Sequence, residues 1–149
     1  IPQAADYDTD LSNTGDTKID TIRHAILQSR LAEFPVDAIV LNPEDWEDIE
    51  LVKDTQGRYV YGNPGGIAPF VLWGRAVIET VAIAPGSFLV GAFRMGGQIW
   101  DREMAAVEVS TEHADFFTRN MVAVRAEMRV GLAVYRPQAF VYGTFPTAE

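Results

Sequence analysis

The run MVAVRAEMRVGLAVY, Met121–Tyr135, decides how the chain is to be read. Val124, Ala126, Met128, Val130, Leu132 and Val134 take the even positions, and Arg125, Glu127 and Arg129 the odd ones. Alternation at period two describes a strand with one dry and one wet face. Ala, Met, Arg and Glu would also suit a helix, but the valines and Gly131 favour the strand. At ~3.3 Å per residue such a strand is roughly 50 Å long, whereas a globule of 149 residues has a radius of gyration of about 15 Å. The strand is therefore expected to overhang a compact body. Its apolar face then needs cover, from a local strand such as Ala105–Ser110 or from another chain.

Outward from this run, the preceding sequence is also strand-like. Turn signals at Gln56-Gly57, Gly62–Gly66, Ala84–Gly86 and Gly96-Gly97 separate candidates at Tyr59–Tyr61, Ala76–Ile83, Phe88–Phe93, Gln98–Trp100 and Ala105–Ser110. Thr111–Asn120 reads as a capped helical turn. Further upstream the period changes to helical. Asp16 or Thr17 can cap a helix, with Asp20 three residues after Thr17 in the manner of a capping box, and Ile19, Ile22, Ile26, Leu27, Leu31 and Phe34 follow at helical spacing until Pro35. Ala38–Leu41 is expected as a short buried strand. Asn42-Pro43 then starts a second helix, with Trp46 and Ile49 inward and Glu47, Asp48 and Glu50 in water.

The formal charge is −9, and it is unevenly placed. Residues 1–54 hold 13 acidic and 4 basic side chains, whereas residues 55–149 hold 8 of each, the basic ones all Arg. An acidic chain without a basic run is not expected to bind nucleic acid sequence-specifically. With 48% hydrophobic residues it can bury a core, and no apolar stretch approaches the roughly 20 residues of a membrane-spanning helix. Having no cysteine, it has no disulfide, thiolate metal site or thiol nucleophile. The chain begins at Ile1 with no signal-peptide pattern, as expected of a processed or excerpted segment.

Short motifs supply no enzyme. Asp6, Asp8 and Asp10 imitate the start of a calcium loop, but Leu11 and Thr17 stand where that loop needs Gly and Glu. The Gly62–Gly66 segment lacks the Gly-Lys-Ser/Thr of a phosphate loop, and neither a dinucleotide fingerprint nor a nucleophile elbow occurs. His24 and His113 are far apart and unpatterned. The acids of Glu44–Glu50 read as a solvated helix face. A small-molecule-binding or hydrolytic domain would need a concave pocket near Trp46, Trp73 or His24.

Five stretches, GDTKIDTIRHAI (Gly15–Ile26), IVLNPEDWEDIELVKDTQGRYVYGNP (Ile39–Pro64), WGRAVIET (Trp73–Thr80), WDREMAAVEVSTEHADFFTRNM (Trp100–Met121) and YRPQAFVYGTF (Tyr135–Phe145), together resemble the major capsid protein family of tailed bacteriophages, HK-ninety-seven type. The likeness covers that family's C-terminal part, downstream of its N-terminal arm, extended loop and spine helix. It implies an α+β fold, a mixed sheet flanked by helices plus a long β arm. Residues 1–96 and 135–149 would form the axial-domain body and residues 97–134 the peripheral β segment. The implied role is a structural subunit of a phage or prophage shell around DNA, assembled in the bacterial cytoplasm as pentamers and hexamers of itself. A scaffold and a maturation protease are further partners that the resemblance suggests. No cofactor or metal is implied. A bacterial nanocompartment shell of the same fold is the nearest rival.

Some members of that family join a Lys to an Asn of a neighbouring subunit with help from a Glu. The motif places Asn120 and Glu127 at those positions. The ordinary alternative is that Asn120 ends the preceding turn and Glu127 pairs with Arg125 or Arg129, which flank it on the same face. Arg125, Arg129, Met128 and Val130 are the expected subunit-interface residues.

Overall fold

The computed structural model describes residues 4–13, 15–61, 70–112, 115–116 and 118–146. The chain divides into two units, residues 1–97 with 134–149, and residues 98–133.

The first unit contains β1 (Ala5–Asp6), α1 (Lys18–Leu31), β2 (Ala38–Leu41), α2 (Pro43–Glu50), β3 (Val71–Leu72), β4 (Arg75–Glu79), β5 (Ser87–Gly91) and α3 (Phe93–Gly96). Strands β6 (Gly97–Ser110) and β7 (Ala123–Val134) run through the second unit, and β8 (Phe140–Thr144) completes the first. The first unit's six strands lie in the order β1-β8-β5-β2-β4-β3. The β1–β8 and β2–β4 pairs are parallel and the other three antiparallel.

Register explains the core. Ile39 lies opposite both Val77 and Val90, Val90 opposite Val141, and Leu41 opposite Phe88, so these side chains share one face of the sheet. They pack with Ile22, Ala25 and Ile26 of α1 and Trp46 and Ile49 of α2 in one buried cluster. The residues one step out of phase, Val40, Leu89, Ile78 and Tyr142, are only partly covered.

Helix α1 starts as its sequence predicts. The Thr17 hydroxyl accepts from the Asp20 N–H, and the Asp20 carboxylate accepts from the Thr17 N–H at 3.0 Å. Its end differs from expectation. The helix stops at Leu31, because Glu33 adopts φ 68° and the N–H groups of Phe34 and Glu33 turn back to Ser29 and Arg30, each at 3.0 Å. This is a Schellman closure with Glu in the position that glycine usually fills. Phe34 consequently leaves the helix and packs in a smaller cluster around Phe140.

Helix α2 has Asn42 as cap and Pro43 in its first turn, and it buries Trp46 and Ile49 as expected. Asp45 corrects the reading of a wholly solvated acidic face. Its side chain is 4% exposed, takes Lys18 Nζ at 2.7 Å and accepts the Gly86 N–H at 2.7 Å. Lys18 also bonds Asp48 at 2.6 Å. Partial burial pulls the Lys18 ammonium down, but the bonds to the two carboxylates and their charges outweigh it, so its pKa stands above the ordinary value.

Several strand expectations need trimming. Tyr59 makes only an isolated bridge with Lys53, β4 ends at Glu79, and β5 ends at Gly91. Phe93 begins α3 instead of ending a strand, since the Asp37 carboxylate accepts the Phe93 and Arg94 N–H groups at 2.9 and 3.0 Å. Gly96 and Gly97 do not make a separate turn. Gly96 closes α3 and Gly97 opens β6, and a Cβ at Gly96 would sit 2.5 Å from the Phe140 ring. The expected Gly62–Gly66 turn lies outside the described residues.

The second unit is a two-stranded ribbon of β6 and β7. The two strand candidates Gln98–Trp100 and Ala105–Ser110 belong to the single strand β6. Between β6 and β7, Arg119 N–H reaches Asp115 O at 3.1 Å and Met121 N–H reaches Phe116 O at 2.9 Å, as in a helical turn. His113, Ala114 and Phe117 lie outside the described residues.

Candidate functional site

The ribbon holds the expected assembly residues, and β7 has the predicted alternation. Val124, Met128, Val130 and Leu132 are all more than half exposed, and β6 adds Met104, Val107 and Val109 in the same condition. In the single chain this is apolar surface in water. A ribbon of two strands is marginal on its own and ordinarily needs a further layer.

The odd positions of β7 carry a charge network. Arg125 Nη2 lies 2.6 Å from Glu108, Arg125 Nη1 3.5 Å from Glu127, and Arg129 Nε 3.4 Å from Glu103. Higher numbers on β7 meet lower numbers on β6, which is an antiparallel sense. Glu103 and Glu108 are five residues apart, a separation that puts side chains on opposite faces of a regular strand. Exposed pairs of this kind contribute only about 0–1 kcal/mol each, so the network sets register and charge pattern more than stability.

Asn120 and Glu127 are both exposed. Asn120 has φ 53°, a left-handed conformation that Asn tolerates better than most residues, and it stands between the turn and β7. Glu127 Oε1 is engaged by Arg125 at 3.5 Å. The chain's only lysines are Lys18 and Lys53. Lys18 is held by Asp45 and Asp48, and Lys53 Nζ lies 4.8 Å from the Tyr59 ring centroid.

In the first unit, Arg23, Ile26, Arg30, Trp73 and Arg75 line an open cleft of about 240 Å³. It contains three cations, but no nucleophile or general base among its lining residues. Trp73 is the less expected member. Leu72 pairs with Arg75, so Trp73 and Gly74 are the two-residue loop of a hairpin, with φ 52° and 72°. Positive φ at both positions describes a type I′ turn, which favours Asn-Gly. A tryptophan there costs on the order of 1 kcal/mol or more, yet its ring is half exposed and held by an N–H bond to Ile19 O at 3.2 Å.

The remaining motif residues have local roles. His24 Nε2 lies 3.2 Å from Asp16, and Asp8 accepts the Asp10 N–H within a short 3-10 turn. No cluster of three or more His, Cys, Asp or Glu able to hold a metal occurs among the described residues. No helix of the described residues is long and apolar enough to cross a membrane.

The chain is 49% identical over 146 residues to the major capsid protein of Enterobacteria phage HK97, covering 98% of this chain and 38% of that protein. It thus spans well under half the length of this relative. Among solved structures, its fold is similar to Microbacterium phage Oxtober96, with a TM-score of 0.74, 18% identity and coverage of 97% of this chain and 51% of that one. It is also similar to the capsid of an empty GTA particle computed with C5 symmetry, at 0.72 and 20% with 91% and 46% covered. A virus-like particle from Pyrococcus furiosus follows at 0.65 and 12% with 93% and 55% covered. Residues 2–145 match the phage capsid family. With the mixed sheet, its flanking helices and the ribbon, the match shows that the chain belongs to the phage capsid family, a family of structural proteins and not of enzymes.

Proposed function

We propose that this chain is the axial body and part of the peripheral region of a shell subunit, which assembles with copies of itself into pentamers and hexamers around a phage or prophage genome. Residues 1–96 and 135–149 act as the axial body and residues 97–134 as the peripheral segment. The observation that carries this reading is the ribbon's exposed apolar side chains, which the single chain leaves in water. Met128 and Val130 supply apolar contact, and Arg125 and Arg129 supply planar cations that neighbouring carboxylates can share.

Strong identity to a phage coat protein across nearly the whole chain favours a DNA-containing shell over a nanocompartment. Assembly takes place in the host cytoplasm, with a scaffold and a maturation protease as accessory partners. Asn120 and Glu127 keep ordinary roles, Asn120 at the left-handed end of the turn and Glu127 beside Arg125. Particles boiled in detergent then run as monomers, and a ladder of multimers would instead assign Asn120 to a covalent cross-link.

The double charge reversal Arg125→Glu with Arg129→Glu tests the interface. In the full-length gene product it abolishes closed shells in electron micrographs, while the thermal midpoint of the body stays within a few degrees of the parent. Normal shells from the double variant would refute the role given to these arginines.

A further inference from the structure

The cleft beside Trp73 is lined by residues of the first unit, and its electrostatics are out of balance with that unit. The first unit has 8 basic and 15 acidic side chains, a net −7. Even so, Arg23, Arg30 and Arg75 converge on one cleft, and none of the three bonds a carboxylate among the described residues. Arg23 and Arg30 are seven residues apart on α1, hence on one helical face. The Arg23 guanidinium stands 5.8 Å from the Trp73 ring centroid. Leu27 and Leu31 extend the exposed face of the same helix.

Three like charges brought together repel each other, and a tryptophan in a left-handed turn is strained. Backbone strain of this kind is retained where the surroundings or a function require it. The ring is half exposed: its N–H bond to Ile19 O and its place beside Ile26 tie it to the body, and the rest of its surface faces water. Arginine and tryptophan around a shallow cleft are the residue types that anchor protein interfaces.

The same unit has a complementary surface. Glu44 and Glu47 are exposed on α2 at a spacing of three residues, which places them on one helical face, and neither has an ion-pair partner among the described residues. Asp45 and Asp48 are already used by Lys18, and Asp8 and Asp16 by local N–H groups, whereas Glu50 and Glu79 have no ion-pair partner among the described residues. A basic cleft and an acidic helix face built from different residues of one body can make a head-to-tail contact, and such contacts form a ring where the rotation between copies closes.

Building on the shell reading above, we propose that the Arg23–Arg30–Arg75–Trp73 cleft of one copy receives the Glu44 and Glu47 face of α2 from the next copy in the ring. Trp73 supplies the apolar anchor and the three guanidinium groups the charge.

The test is a charge exchange in the full-length gene product, read by electron microscopy of particles and by the thermal midpoint of unassembled subunits. Arg23→Glu with Arg30→Glu is expected to lower the yield of closed shells at least about tenfold, because like charges then face each other across the contact. Glu44→Arg with Glu47→Arg is expected to do the same. Combining all four substitutions is expected to restore shells, which a general folding defect would not allow. Normal shells from either pair, or a fourfold variant no better than its parents, overturn the contact. Loss with the arginine pair alone would give the cleft to another acidic partner, such as DNA or a scaffold, and likewise overturn it. Absence of particles from the unaltered protein would instead refute the shell reading itself.

Discussion

The six-stranded unit and the ribbon both carry large apolar side chains at every second position of their strands and reach opposite states. Ile39, Leu41, Phe88 and Val90 alternate with less buried neighbours and reach 0% exposure, because α1 and α2 cover their face. Val124, Met128, Val130 and Leu132 alternate equally well and stay more than half exposed. Among the described residues of the ribbon no second layer covers them. Alternation thus specifies that a face is apolar, and the rest of the chain decides whether that face is filled from within or left for another molecule.

The strongest way to break this comparison is truncation of matched apolar residues. Phe88 is fully buried and touches the rings of Tyr7 and Phe145. Phe88→Ala is expected to cost the body about 3–5 kcal/mol, read as a lower urea midpoint. Val130→Ala, on the ribbon, is expected to change the subunit's stability by less than about 0.5 kcal/mol while weakening particle assembly. Equal losses of stability would show that the ribbon is covered within the chain after all.

A smaller effect concerns polar burial, which the two units also divide unequally. Arg125 and Glu108 pair in water, whereas Lys18 meets an almost fully buried Asp45. Asp45→Ala should cost about 1–3 kcal/mol, since it removes the acceptor of the Gly86 N–H and one of the two carboxylates that hold Lys18, leaving Asp48 to pair the ammonium. Lys18 has a raised pKa when folded, so its contribution is complete below the unfolded lysine value of about 10.4. It is lost as pH rises through the raised folded value. The variant's stability should therefore fall less steeply at alkaline pH than that of the parent, and matching pH profiles would count against the pairing.

The smallest expected change is a gain. Glu33→Gly at the left-handed end of α1 should raise stability by roughly 0.5–1 kcal/mol, measured as a higher thermal midpoint. The side chain is exposed, so little contact is lost.

Local chemistry explains which features could be read before the fold was seen. The Thr17–Asp20 capping box and the Asn42-Pro43 start each bond within three residues, and both helices begin where those signals stand. The β7 alternation needs no partner to be recognised. What escaped notice depends on residues distant in sequence. Asp37 turns Phe93–Gly96 into a helix from more than fifty positions away, and Asp45 is buried by Lys18 and Gly86. Pro35 is a stronger stop signal than the Glu33 closure before it, and neither Glu33 nor Trp73 is a residue type that advertises positive φ. Arg23, Arg30 and Arg75 form no linear motif and meet only when the β3–β4 hairpin lies beside α1.

The chain leaves the body after Gly96 and comes back at Tyr135, and the N–H groups of Tyr135 and Arg136 both donate to the Gly96 carbonyl, at 2.8 and 3.2 Å. Exit and return are thus pinned at a single atom, and everything between them is topologically a cassette. Its length can vary by two residues on each strand with the inward and outward faces preserved, whereas a change of one would exchange them. A lineage of such proteins can lengthen, shorten or replace residues 98–133 to suit different neighbours while the fold of the host body stays as it is.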